Sequence, residues 1–153
     1  MDIISKIKWI ILVWFFLISI KTNAQIFGYD GRSEVPTIKI SKGIVYKKGR
    51  VVGKISSNTV YEYDTEFVPT LNIKGDEVYF INQEENVDVV EEFGYILSDN
   101  KIYFSRDTTD LIYLTIKDEF VYRGPITGKQ LVKIKGEYKF IELITILYFL
   151  EKI

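Results

Sequence analysis

Gly53-Lys54-Ile55-Ser56-Ser57-Asn58-Thr59-Val60-Tyr61 is the stretch whose reading decides the fold. A polar and an aliphatic residue lead into four turn-prone positions, and an aliphatic followed by an aromatic leads out. A two-residue turn at Ser57-Asn58 sets Ile55 opposite Val60, which makes the stretch a β-hairpin. The same phrase returns at residues 38–46, 71–79, 95–103, 114–122 and 132–140. Its register pairs Ile40 with Val45 around Lys42-Gly43, Ile73 with Val78 around Gly75-Asp76, and Leu97 with Ile102 around Asp99-Asn100. Gly, Asn and Asp suit the positive φ of tight hairpin turns. The copy at 114–122 has the weaker turn Asp118-Glu119, and the one at 132–140 puts Lys139 in the aliphatic place. In the third copy, Lys74 faces Glu77 as an opposite-charge pair.

Successive strand residues point to opposite faces, so the phrase divides into two layers. The aliphatic pairs, with Ile38, Leu71, Leu114 and Val132, form an inner layer. Lys39, Lys54, Asn72, Thr115 and Lys133 point outward with the closing aromatics Tyr46, Tyr61, Tyr79, Tyr103, Tyr122 and Phe140. The rings pack, and the tyrosine hydroxyls reach water. Spacings of 15, 18, 24, 19 and 18 residues between copies put insertions in the connecting loops, chiefly the acidic stretch 83–92. The apolar run 140–150 is rich in Ile and aromatics, and its β-branched content with the interrupting Glu142 predicts a long closing strand. The expectation is an all-β domain of roughly twelve short strands in five to six consecutive antiparallel hairpins. Its alternative is an irregular up-and-down barrel. An unpaired first or last hairpin leaves an open sheet edge, which invites self-association.

At the N-terminus, Lys6 and Lys8 precede an apolar core and Ala24 offers a small residue for cleavage. Residues 1–24 therefore read as a signal peptide, with Gln25 as the mature N-terminus of a single domain over 25–153. The rival is a retained anchor, but the apolar segment between Lys8 and Lys21 spans only ~18 Å as a helix, against roughly 30 Å of hydrocarbon. Cleavage leaves 17 basic against 20 acidic residues, a formal net charge of −3. Such a balance argues against a nucleic-acid partner. The chain has no Cys, so neither disulfides nor a lipidated cysteine enter, and stability rests on burial and pairing.

The pattern resembles the five-fold β-flower proteins, small exported proteins of repeated hairpins around a pseudo-rotational axis with an aromatic-rich closing strand. Val52-Gly53-Lys54-Ile55 and Phe93-Gly94-Tyr95-Ile96 carry the resemblance, with Ala24-Gln25 and the tail 144–153. Gly53 and Gly94 lack counterparts in the other copies, and the match at Gly94 implies pairing Ile96 with Ile102 through a longer turn. The symmetry number, five or six, stays open. The resemblance implies no activity and no catalytic residues.

Histidine is absent too, which removes Ser-His-Asp triads, Cys-His dyads, haem ligation and the usual zinc sites. Ser41-Lys42 and Ser5-Lys6 fall in a turn and in the signal segment. The phosphate-loop lookalikes 49–54 and 124–129 are one residue short, lack the following Ser or Thr and precede strands, so their glycines are turn glycines. Carboxylates remain: Glu91 or Glu92 with Asp107 or Asp110 is the pairing a glycan hydrolase would need. Glu84, Glu85 and Asp88 lack the spaced ladder of a calcium loop. No cofactor or metal is expected. The expectation is therefore an exported, periplasmic or extracellular binding or structural module, with Tyr61, Tyr79, Tyr103 and Tyr122 as ligand platform and a glycan, peptide or envelope protein as partner. Membrane association through an exposed tail is a lesser alternative.

Overall fold

The computed structural model describes residues 25–82, 90–109 and 113–153. Twelve strands follow one another: β1 (Gln25–Asp30), β2 (Ile38–Ser41), β3 (Ile44–Lys47), β4 (Arg50–Ser56), β5 (Thr59–Tyr63), β6 (Phe67–Lys74), β7 (Glu77–Asn82), β8 (Val90–Ser98), β9 (Lys101–Tyr103), β10 (Tyr113–Lys117), β11 (Phe120–Arg123) and β12 (Gln130–Lys135). A helix, α1 (Phe140–Phe149), ends the order. Each strand pairs antiparallel with its sequence neighbours, and β1 pairs with β12, so the sheet closes as an up-and-down barrel. Among the described residues the barrel has no open edge of the kind an unpaired first or last hairpin would leave.

The inner registers are those the turns dictate: Ile40 opposite Val45, Ile55 opposite Val60, Ile73 opposite Val78, Leu97 opposite Ile102 and Ile116 opposite Val121. The Ile96–Ile102 register implied by the β-flower resemblance is not found. Lys42, Ser57, Gly75, Asp99 and Asp118, the first residue of each tight turn, all adopt positive φ. One contact then recurs between hairpins. The N–H groups of Ile55, Ile73, Leu97, Ile116 and Ile134 donate to the carbonyls of Gly43, Asn58, Asp76, Asn100 and Glu119, the second turn residue of the preceding hairpin, at 2.7–2.8 Å. Each turn is thus docked on the strand that follows its hairpin, and its carbonyl is satisfied there.

Two expectations about the C-terminal region are corrected. The phrase at 132–140 supplies only one arm, since β12 takes β1 as partner and Phe140 opens the helix. Residues 140–150 are not a strand. Leu143, Ile144, Thr145, Ile146 and Leu147 are consecutive and all at most 2% exposed, so every side of α1 is covered. A helix apolar all round belongs in an interior, and here that interior is the barrel. Glu142, read as an interruption, lies in the first turn and accepts the N–H of Lys139 at 2.6 Å, and buried Thr145 donates to the carbonyl of Ile141. The tail is therefore core and is not exposed for membrane contact. Among the described residues no helix is long and apolar enough to cross a membrane.

Two glycines make room for the helix. A Cβ on Gly28 would come within 2.5 Å of Ile146, and one on Gly53 would meet the backbone carbonyl of Tyr61 and, at 2.6 Å, the ring of Phe149. The far end of α1 is tied to the loop rim. Glu151, at φ 57, turns the chain, and the Glu151 and Lys152 N–H groups donate to Tyr148 and Leu147. Lys47 pairs with Glu151 at 3.3 Å and Lys152 with Asp30 at 2.9 Å. The Tyr148 hydroxyl donates to Glu62 on β5 at 2.9 Å, and burial first, then Glu62, pushes its pKa up to about 12.

Gly28→Ala is expected to destabilise the protein by more than about 1 kcal/mol, because a side chain must yield to the new methyl. Ile146→Ala in the same chain should recover part of that loss in a double-mutant cycle read by urea unfolding. Gly53→Ala should not be recovered by Phe149→Leu, because its obstacle is backbone. The raised pKa of Tyr148 makes a second prediction. A folded value above the unfolded value of about 10 gives stability that is fully present below pH ~10 and lost as pH rises toward 12. Tyr148→Phe should flatten that alkaline loss, leaving the part due to Tyr95 and Tyr138, whose pKa values burial also raises.

Candidate functional site

The outer face is built by the same register that fills the core. Lys39 stands opposite Tyr46, Lys54 opposite Tyr61, Asn72 opposite Tyr79 and Thr115 opposite Tyr122. In β3, β5, β7 and β11 the pairing to the next strand shifts between the inward Val and the outward Tyr. Bulges of this kind bend a strand and re-aim its side chains. Cations cover the rings that result. Lys54 lies 4.8 Å from the Tyr61 ring and 4.5 Å from Phe67, Lys74 lies 4.9 Å from Tyr79, Lys101 4.7 Å from Tyr113, and Arg106 4.7 Å from Phe93. Such pairs are worth about 0.5–1 kcal/mol each at exposed sites.

The four tyrosines expected to form one platform are not brought together. They stand on β5, β7, β9 and β11, alternate strands of the barrel wall, so neighbours are roughly 9–10 Å apart across the intervening strand. Tyr103 is only 6% exposed, buried on the outer face against Tyr113 at 5.6 Å, so its ring is not open to a ligand. The Tyr79 hydroxyl donates to Glu77 and accepts from Arg106 at 3.4 Å, while Arg106 pairs with Glu77 at 3.5 Å. Tyr122 packs half-buried beside Phe120 at 6.2 Å. Tyr61 alone belongs to an open surface. Its strand carries Tyr63 on the same face, and Tyr63 stands opposite Phe67 with ring centres 4.8 Å apart. Tyr63 is 41% and Phe67 36% exposed, and the Lys54 ammonium sits over Tyr61 and Phe67 together. The sequence reading missed Tyr63 and Phe67 because the repeated phrase stops at Tyr61. The i, i+2 spacing of Tyr61 and Tyr63 was the available signal.

The acidic residues are held by local partners. Glu91 accepts from Lys74 and, at 2.7 Å, from Asn72, and the Lys74 bond, then that of Asn72, lowers its pKa. The predicted Lys74–Glu77 contact is replaced by these ion pairs, although the two residues remain opposite in register. Asp107 accepts the hydroxyl and N–H of Thr109 at 2.6 and 2.9 Å, and its pKa is lowered. A glycosidase proton donor needs a carboxyl shifted the other way. Among the described residues no three potential metal ligands converge. Asp110, Glu84, Glu85, Asp88 and the segment 1–24 with Ala24 lie outside the described residues. Comparison with family models, curated proteins and solved structures finds no match to this chain.

Proposed function

We propose that this protein is an exported, non-catalytic binding module that recognises an envelope or environmental glycan or peptide through Tyr61, Tyr63, Phe67 and Lys54. One observation carries the reading: an exposed ring pair with a cation fixed beside it stands on the outside of a barrel whose core is complete without it. Exposed aromatic rings with few rotatable bonds favour recognition at low entropic cost. Export is supported by the targeting pattern of residues 1–24. The shared registers and the docked turns support a further proposal, that the hairpins are one unit repeated around a pseudo-rotational axis as in β-flower proteins. In that arrangement β12 and β1 make a sixth unit without a turn.

The test is retention of the mature protein by an envelope fraction. Tyr63→Ala with Phe67→Ala should cut retention at least about tenfold, the scale of a lost binding hot spot, with the melting temperature within a few degrees of wild type. Protease treatment of the fraction removes peptide partners and periodate oxidation removes glycans, so the two treatments name the ligand class. Equal retention of the double variant would remove this surface from the function.

A further inference from the structure

Half the barrel away from β5 and β6 in strand order, β11, β12 and β1 set three outward residues side by side. Phe120 pairs with Lys133, and Lys133 with Tyr29. Lys135 follows on the same face. The Lys133 ammonium lies 5.3 Å from the Phe120 ring and that of Lys135 5.6 Å from Tyr29. The loop after β1 forms the other wall and is anchored: the Gly31 N–H donates to Leu131 at 2.7 Å, and its carbonyl accepts from the Gln130 amide at 2.9 Å. Between wall and loop lies a cleft of about 360 Å³, lined by Tyr29, Arg32, Glu34, Phe120, Lys133 and Lys135 among others.

Lys133 shares its charge with Glu119 at 3.5 Å. Among the described residues, Arg32 and Lys135 have no carboxylate partner within 4 Å. This is a local excess of positive charge on a chain whose formal net charge is −1. A second cleft, of about 440 Å³ beside the end of α1, differs in that Lys47 and Lys152 there are already paired with Glu151 and Asp30, which leaves Lys48 as its one cation without a carboxylate partner among the described residues.

We infer that the Arg32–Lys135 cleft binds an acidic sugar unit, a saccharide bearing a carboxylate. Arg32 and Lys135 receive the carboxylate, with the guanidinium able to take both oxygens. Glu34 accepts hydroxyl protons, a role that favours a polyhydroxylated ligand over a bare anion such as phosphate. Tyr29 and Phe120 give the sugar ring an apolar floor. The volume suits a small ligand of about one or two sugar rings. This site is separate from the β5–β6 surface, and its failure would leave that proposal standing.

The test is calorimetric titration of the mature protein with trigalacturonic acid, maltotriose and inorganic phosphate at low and high salt. The acidic trisaccharide should bind, more weakly at high salt, and maltotriose and phosphate should not. Arg32→Gln and Lys135→Gln should each weaken binding about tenfold, the scale of a lost charged hydrogen bond, without moving the melting temperature. Tyr63→Ala should leave this binding unchanged. No heat with trigalacturonic acid at millimolar concentration, equal binding of phosphate, or affinities unchanged in both charge variants would each overturn the assignment.

Discussion

The fit of α1 inside the barrel is the constraint on which the rest of the structure depends. Side chains alone fill a barrel of about eight strands, and a barrel of twelve leaves more space than they reach. A helix with its side chains is about 10–12 Å across, and its ten residues cover ~15 Å of barrel length. Leu143, Ile144, Ile146 and Leu147 occupy that space, and the burial of each is worth on the order of 1.5–3 kcal/mol. Gly28 and Gly53 are inward strand positions where a side chain would collide with the helix. The strands consequently cannot close at this diameter without the helix, and the helix has no other surface to cover it.

Closure brings a second consequence. A β-sheet edge offers unpaired N–H and C=O groups to any passing strand, and the β1–β12 pairing removes both edges. The five turn carbonyls docked on the strands that follow act alongside it, linking hairpins at the end of the barrel where the connections are shortest. At the opposite rim the connections other than Lys48-Gly49 are longer, and the exposed Tyr63, Phe67 and Val68 are found there. The two faces of each strand are thus separate layers: the inward positions build the core, and the outward aromatics pack with their cations on the outer wall.

The hairpin registers were legible because a two-residue turn and period-two alternation leave little choice of partner, as Ile55 with Val60 and Leu97 with Ile102 show. The tail was not legible, since a run apolar at nearly every position from Phe140 to Leu150 has no period to read. Its Glu142 carries the helix signal only if Lys139 is recognised as the preceding residue whose N–H it receives. Strand β1 escaped because Gly28 stands where an aliphatic would have shown the alternation. The candidate surfaces were harder still. Tyr103 and Tyr61 hold the same place in the phrase, and only the packing of Tyr113 distinguishes a buried ring from an open one. The Arg32–Lys135 cleft joins residues about a hundred positions apart and exists only because the barrel closes.

Native-state hydrogen exchange tests the central claim most directly. If α1 is the core of the barrel, the amides of Leu147 and Phe149 exchange only through global unfolding, with the same free energy and denaturant dependence as those of Val45, Val60 and Val78 in the wall. Exchange of the helix amides through a separate opening, several kcal/mol below the strands, would show that the barrel stands without its helix and would contradict the account.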